Sequence, residues 1–283
     1  MGNSAGSVAE QSARFWERQW LWWDRVAPPL RPAAQDIEIL RRLIAEGCVA
    51  RGCIQPRAVL LGVTPEIASM HWPKGTSLLA IDRSQGMIDN VWPKQPFTGA
   101  RVVSGEWTRM PLAAGSCDVV TGDGCFSQLP YPEGYDALVQ ELRRALKPGG
   151  LFAMRAFVRL EPAESVEELL SELNAGGIRN FHVFKWRLNM ALQPTIAAGV
   201  RLRDIWDTFM EKFGGPANLA TQRNWPFEVV ETIHAYREAN ALYTYPTLSE
   251  LRDRLSTCFS EIACVYPTYE MGDRCPTLLF KAG

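Results

Sequence analysis

Two rhythms of apolar and polar positions divide the chain. Between Arg57 and Phe157, short apolar runs alternate with amphipathic stretches, and on either side the pattern is helical. AVLLG at Ala58–Gly62, SLLAID at Ser77–Asp82, RVVSG at Arg101–Gly105, CDVVTGD at Cys117–Asp123 and LFAMRAF at Leu151–Phe157 each predict a strand. Runs this continuously apolar fit strands buried on both faces. Between the fourth and fifth, YDALVQELRRALK sets Leu138, Leu142 and Leu146 on one helical face. Strand–helix–strand units joined by right-handed crossovers build a parallel sheet. EIACVY at Glu261–Tyr266 and TLLFK at Thr277–Lys281 add two closing strands. Gly272 and Asp273 between them read as a hairpin turn, so the last strand is expected to run antiparallel. The expected class is α/β, a Rossmann-like doubly wound, mostly parallel seven-stranded sheet with an antiparallel last strand. N-terminal helices precede it and a helical insertion separates its fifth and sixth strands.

Outside the sheet, FWERQWLWWDRV spaces Trp16, Trp20 and Trp23 at i, i+4 and i+7, one face of a helix that Pro28 and Pro29 end. A second helix carries Ile37, Leu40, Leu43 and Ile44 on one side, with Gly47 as its expected stop. Further helices are predicted over Val166–Leu173, Ile205–Phe213, Phe227–Ala239 and Leu248–Leu255. Gly2–Val8 is small and polar and expected to fray. The expected organisation is an N-terminal helical cap over 1–56, a core over 57–159, a helical insertion or lid over 160–257, and closing strands of the core over 258–283.

Composition narrows the partners. Among 283 residues, 30 Lys and Arg nearly balance 31 Asp and Glu. Phosphate neutralisation normally shows as a basic excess, so no nucleic-acid partner is expected. No apolar run approaches about 20 residues, and Met1–Gln11 lacks a basic stretch followed by an apolar one. Neither a membrane partner nor a secretory leader is expected, and the expected location is cytoplasmic. The seven cysteines are scattered without a C-x-x-C pair and the three histidines are far apart, which predicts reduced thiols and no metal site.

In a doubly wound sheet, ligands bind beyond the carboxyl ends of the strands, so the residues that follow each strand carry the candidate chemistry. After the first stands Gly62-Val63-Thr64-Pro65-Glu66, where a glycine lets backbone approach a ligand or simply makes a strand-to-helix turn. Asp82 ends the second strand, placed either to accept both hydroxyls of a ribose or to cap the next helix. Ser84 is available for the capping. Met87, one turn on, suits an adenine face or the core. After the third strand, Glu106 can accept an exocyclic amine and Trp107 can stack on a ring. After the fourth, Gly122-Asp123-Gly124 puts Asp123 where a cofactor and a substrate would meet, to hold an amine, to take a proton, or only to cap a turn.

In this order, RAVLLGVTPEIA, LLAIDRSQGMI, GEWTRMPLAAGSCDVVTGDGCFSQL and LVQELRRALKPGGLFAMRAF resemble the successive motifs of class I S-adenosylmethionine-dependent methyltransferases. The resemblance runs from about Arg57 to Phe157 and resumes in the closing strands. It implies S-adenosyl-L-methionine as cofactor, with the methionine part at Gly62 and Thr64, the ribose at Asp82 and the adenine at Glu106. The candidate cofactor-binding set is Gly62, Thr64, Asp82, Ser84, Met87, Glu106, Trp107, Gly122 and Asp123. One departure is plain: the family's acid before a Gly-x-Gly-x-Gly loop is replaced by Leu61, and one glycine remains. Asp123 or Glu66 is the candidate for the missing charge.

The expected activity is methyl transfer to a small-molecule acceptor. A cofactor-binding protein without transfer stays open because of the altered loop, and a nicotinamide-dependent oxidoreductase lacks its G-x-G-x-x-G after the first strand. Asp123 and His182 are the candidate catalytic residues, with Tyr131 behind them. Phe181, Phe184, Trp186, Met190 and Trp206 make the insertion aromatic, either as a lid or as its own core. The N-terminal tryptophan face closes the cleft or makes a homodimer contact.

Overall fold

The computed structural model describes residues 8–283. Apart from Val8, the segment expected to fray lies outside the described residues, as does most of Met1–Gln11. Helices α1 (Val8–Trp16) and α2 (Ala34–Ala50) precede the sheet. Then follow β1 (Arg57–Leu61), α3 (Pro65–Ala68), β2 (Ser77–Asp82), α4 (Gln85–Val91), β3 (Ala100–Ser104), β4 (Cys117–Asp123), α5 (Glu133–Ala145) and β5 (Leu146–Arg155). The insertion holds α6 (Val166–Asn174), α7 (Phe181–Leu192), β6 (Val200–Arg201), α8 (Leu202–Phe213), α9 (Pro216–Arg223), α10 (Phe227–Val230) and β7 (Leu242–Tyr243). Helix α11 (Leu248–Ser256), β8 (Phe259–Val265) and β9 (Thr277–Ala282) finish the chain.

Seven strands form one sheet in the order β3-β2-β1-β4-β5-β9-β8, and β6 pairs with β7 separately. The first five strands run parallel, while β9 is antiparallel to both β5 and β8. This is the predicted class. The strand order reverses between β1 and β4, so the crevice at their carboxyl ends is the expected ligand position. Apolar side chains pack both faces of the sheet, and a third cluster forms the interior of the insertion.

Four expectations are corrected. The N-terminal tryptophan helix is broken: α1 ends at Trp16 and a 3₁₀ turn covers Gln19–Arg25. The break lets Trp16 and Trp23 pack against Val63, Met87 and Val91 while Trp20 stays at the surface. Gly47 does not stop α2. A side chain there would stand 2.7 Å from Leu151 Cδ1, so the glycine admits β5, and the turn comes at Gly52 with φ +64°. The predicted helix over Phe227–Ala239 is α10 followed by a 3₁₀ turn over Glu231–Tyr236. The link between β8 and β9 is a loop with a short 3₁₀ turn at Gly272–Arg274 rather than a tight hairpin.

Helix α7 has no counterpart among the predicted helices, because its residues from Phe181 to Met190 are all buried. A helix enclosed on every side shows no apolar stripe.

Candidate functional site

Beyond the carboxyl ends of β1, β2 and β4 lies a cavity whose wall has two parts. Gly62, Val63, Thr64, Asp82, Met87, Glu106, Trp107 and Asp123 come from the strand ends, whereas Trp16, Trp23, Leu30, Trp186 and Tyr243 come from the N-terminal segment and the insertion.

The strand-end part is tied together by backbone. The Gly62 N–H donates to the Ile81 carbonyl at 2.8 Å and the Gly105 N–H to the Asp82 carbonyl at 3.0 Å. Trp107 Nε1–H donates to the Ile81 carbonyl at 2.7 Å, which fixes its indole beside Gly62. Gly62 has φ +96°, a left-handed conformation that L side chains rarely adopt. A Cβ there would enter the space 3.6 Å from the Trp107 ring and 3.7 Å from Asp82 Oδ2. The glycine therefore keeps open a cradle walled by an indole and a carboxylate.

Asp82 accepts the Ser84 N–H at 2.8 Å through Oδ1. Burial pushes its carboxyl up to about 6, against the pull of that N–H and of Arg83. Ser84 caps α4, its hydroxyl oxygen accepting the Met87 N–H at 3.1 Å. It is buried outside the cavity wall and is withdrawn from the candidate set on that ground. Gly122 is also absent from the wall. A Cβ there would meet Leu61 Cβ at 3.3 Å and Cys125 Sγ at 3.4 Å, so it serves packing. Glu106 reaches the wall with its side chain 57% exposed and stands 3.8 Å from Arg83.

Asp123 lies on the wall, but Arg155 grips both its oxygens, Nε at 2.6 Å and Nη2 at 3.0 Å. Arg155 Nη1 also meets the Pro29 carbonyl at 2.9 Å and Asp36 Oδ2 at 3.3 Å. Burial raises the Asp123 carboxyl pKa and Arg155 opposes the rise. A carboxylate locked in a two-pronged ion pair is a poor proton acceptor and a good fixed charge. The sequence reading missed Arg155, although a charged residue inside the apolar run LFAMRAF is itself the mark of a buried ion pair.

His182 is not part of the cavity wall. It is buried in α7, where its Nε2–H donates to the Arg25 carbonyl at 3.0 Å. Burial and then the nearby Lys185 charge lower its pKa to about 3, so it is a neutral packing residue. Tyr131 is elsewhere too, its hydroxyl accepting from Arg254 at 2.8 Å. Glu66 bonds Arg31 at 2.6 Å, and the Arg31 guanidinium lies over the Trp23 ring, 5.0 Å from its centre. It secures Trp23 instead of facing the cavity.

Further wall residues, among them Phe157, Tyr243, Arg83, Ser127 and Gln128, were not singled out from sequence. Phe157 and Tyr243 flank Trp186, with ring centres 5.0 and 5.8 Å from it. Arg83 stands beside Asp82, its Nη2–H donating to Ser12 Oγ at 2.7 Å. The cradle at Gly62, the carboxylate of Asp82 and the indole of Trp107 together suit an adenosyl group: backbone against the linker, an acceptor for ribose hydroxyls and an aromatic surface for a base.

Residues 61–154 match the family model described as "Methyltransferase domain". No curated protein gives a significant sequence match. Solved structures share the fold. A Rhodobacter sphaeroides protein provisionally named a Zn-dependent alcohol dehydrogenase is similar at TM-score 0.65 and 13% identity, over 96% of this chain and 99% of that one. The Burkholderia thailandensis 1,6-didemethyltoxoflavin-N1-methyltransferase, solved with 1,6-didemethyltoxoflavin and S-adenosylhomocysteine, gives TM-score 0.53 at 12% identity, over 100% and 93%. The Bradyrhizobium japonicum N-methyltransferase NodS, solved with S-adenosylhomocysteine, gives 0.52 at 10%, over 96% and 98%. At these identities the likeness concerns the fold alone.

Proposed function

We propose that this chain is a class I S-adenosylmethionine-dependent methyltransferase that takes S-adenosylmethionine as its cofactor and methylates a small-molecule acceptor held between the strand ends and the aromatic cap. The observation that carries the proposal is the two-part wall. One half suits the cofactor, and the other encloses a space beside it with tryptophan, phenylalanine and tyrosine. An aromatic cap closed by the N-terminal segment and the insertion favours a small acceptor over a polymer.

The cofactor supplies a methyl group already activated on a sulfonium, so the protein's work is alignment and exclusion of water. Asp82 would accept the ribose hydroxyls. Glu106 would accept the adenine amine beside Trp107. Asp123, held immobile by Arg155, is the candidate for the charge that Leu61 lacks, and would face the amino group of the methionine part. Met87, buried on α4, would support the base. Trp16 and Trp23 cover Val63 and Met87, which would seal the cofactor from solvent.

Calorimetric titration with S-adenosylhomocysteine, alongside NAD(H), tests this reading. Saturable micromolar binding, about 8 kcal/mol, is expected for the first and none for the second. Binding of NAD(H) alone would overturn it.

A further inference from the structure

The N-terminal segment has two sides. Trp16 and Trp23 belong to the cavity wall. The other side lines a separate groove of about 510 Å³, whose opposite wall is the 3₁₀ turn over Glu231–Tyr236 and the residues that follow it. Arg14, Arg18 and Arg25 come from the first wall, and His234 and Arg237 from the second. Glu238 is the one acid of the lining among the described residues. Arg25 is paired with Glu231, which ties the two walls together. Among the described residues, Arg14, Arg18 and Arg237 have no carboxylate within ion-pair distance. Glu17, next to Arg18 in sequence, is turned to the start of α4, where it accepts the Gly86 N–H at 2.8 Å. The whole chain carries a formal charge of −1, so this groove concentrates positive charge that composition does not explain.

We propose that this groove is a second binding site, separate from the cavity, for a small compound bearing several phosphate charges, held by Arg14 and Arg18 on one wall and Arg237 on the other. Like charges gathered in one groove repel, and a multivalent anion removes that repulsion. Guanidinium forks match phosphate oxygens two at a time. The volume is that of a small-molecule site, which favours a compact ligand over a long acidic segment. Occupancy would also act on the cavity. Phe15 lines the groove and packs edge to face on Tyr243 of the cavity wall, ring centres 6.2 Å apart. An anion bridging the two walls adds a tie between the N-terminal segment and the insertion, the two parts that cap the cavity. It therefore favours the closed cap, and a cavity ligand that needs the closed cap tightens the anion by the same factor. The site stands apart from the methyltransferase reading, and the coupling rests on it.

The test titrates inorganic tripolyphosphate into the full chain by calorimetry in about 150 mM NaCl, where exposed charges more than about 8 Å apart are screened. One saturable site is expected, tightened at least threefold when S-adenosylhomocysteine is present at saturation. Arg18→Gln and Arg237→Gln, exposed positions from opposite walls, are each expected to weaken it at least fivefold. Arg41→Gln on α2, away from the groove and paired with Glu38, removes the same charge and is expected to change it less than twofold. Urea midpoints establish that the variants fold, and Arg14→Gln replaces either groove variant that does not. The proposal falls if tripolyphosphate does not bind, if Arg41→Gln weakens it as much as the groove variants do, or if a hexaglutamate peptide binds more tightly, which would make the groove a dock for an acidic protein segment. Binding that S-adenosylhomocysteine leaves unchanged keeps the site and removes the coupling. Failure to bind S-adenosylhomocysteine at all would remove the methyltransferase reading, while the groove is still decided by the titration without it.

Discussion

Four tryptophans line one cavity, and they are treated differently in its two halves. On the strand-end side, Trp107 donates its indole N–H to the Ile81 carbonyl. On the cap side, Trp16, Trp23 and Trp186 donate to nothing. The strand-end half is made of backbone turns, whose groups are satisfied by neighbouring strands before any ligand arrives. The cap half is made of side chains from segments distant in sequence, and its donors have no partner within the protein. Arg155 joins the halves, reaching Asp123 on the sheet and Pro29 and Asp36 in the N-terminal region.

Breaking that joint should have the largest effect. Arg155→Met leaves Asp36 and Asp123 without their shared cation, and loss of one partner of a buried ion pair costs about 3–5 kcal/mol. The urea midpoint should fall accordingly, and an unchanged midpoint would show that the halves do not depend on the pair.

A smaller and more selective loss is expected from Asp82→Ala. Removing a charged acceptor costs about 1.5–3 kcal/mol, read as weaker S-adenosylhomocysteine binding with the cap intact. The same residue sets a pH dependence. Its carboxyl is raised to about 6 from an ordinary value of 3.8, so in the free protein its ionisation opposes folding. Its contribution to stability is full below about pH 4 and is lost as pH rises through about 6. In the proposed role Asp82 accepts the ribose hydroxyls in its ionised form, so cofactor affinity should run the other way and fall about tenfold per unit below that value. Calorimetry at pH 5 and pH 7 checks this, and Asp82→Asn should flatten the profile.

The cap's attachment is tested by Glu17→Ala. Glu17 accepts the Gly86 N–H at 2.8 Å and the Ser84 hydroxyl at 3.0 Å, pinning the N-terminal segment to the start of α4. A carboxylate at a helix start is worth about 0.5–1 kcal/mol, so S-adenosylhomocysteine affinity should drop about two- to fivefold. Equal affinity would mean the cap closes without this tie. The smallest effect is expected from Glu106→Gln. Its pairing with Arg83 is open to water, and such pairs contribute less than about 1 kcal/mol. Less than a threefold change in affinity would agree with that, and a larger one would give Glu106 a closer hold on the ligand than its exposure implies.

Legibility in the sequence followed the same division. The strands were plain because burial on both faces writes continuous apolar runs. Asp82 was separable from the capping role because Ser84 stood two residues on, and Ser84 does cap α4. Gly62, Trp107 and Met87, which line the cavity, were legible because each lies in the segment that follows a strand at the crevice. His182 was misplaced because a histidine among aromatic residues looks the same whether it lines a cavity or packs between helices. Gly47 was misread because its use is a contact with Leu151, on a strand far along the chain.

The sequence by itself determined the class of sheet, the antiparallel last strand, the turns that line the cavity and the absence of an acid before Gly62. Each depends on periodicity or turn chemistry within a few residues. Only the tertiary structure decided that Asp123 is held by an arginine 32 residues away, that this arginine also reaches Asp36, 119 residues away, and that tryptophans 16, 23 and 186 share one cavity. Such pairings are set by how layers pack across the sheet, and local sequence carries no record of which distant partner arrives.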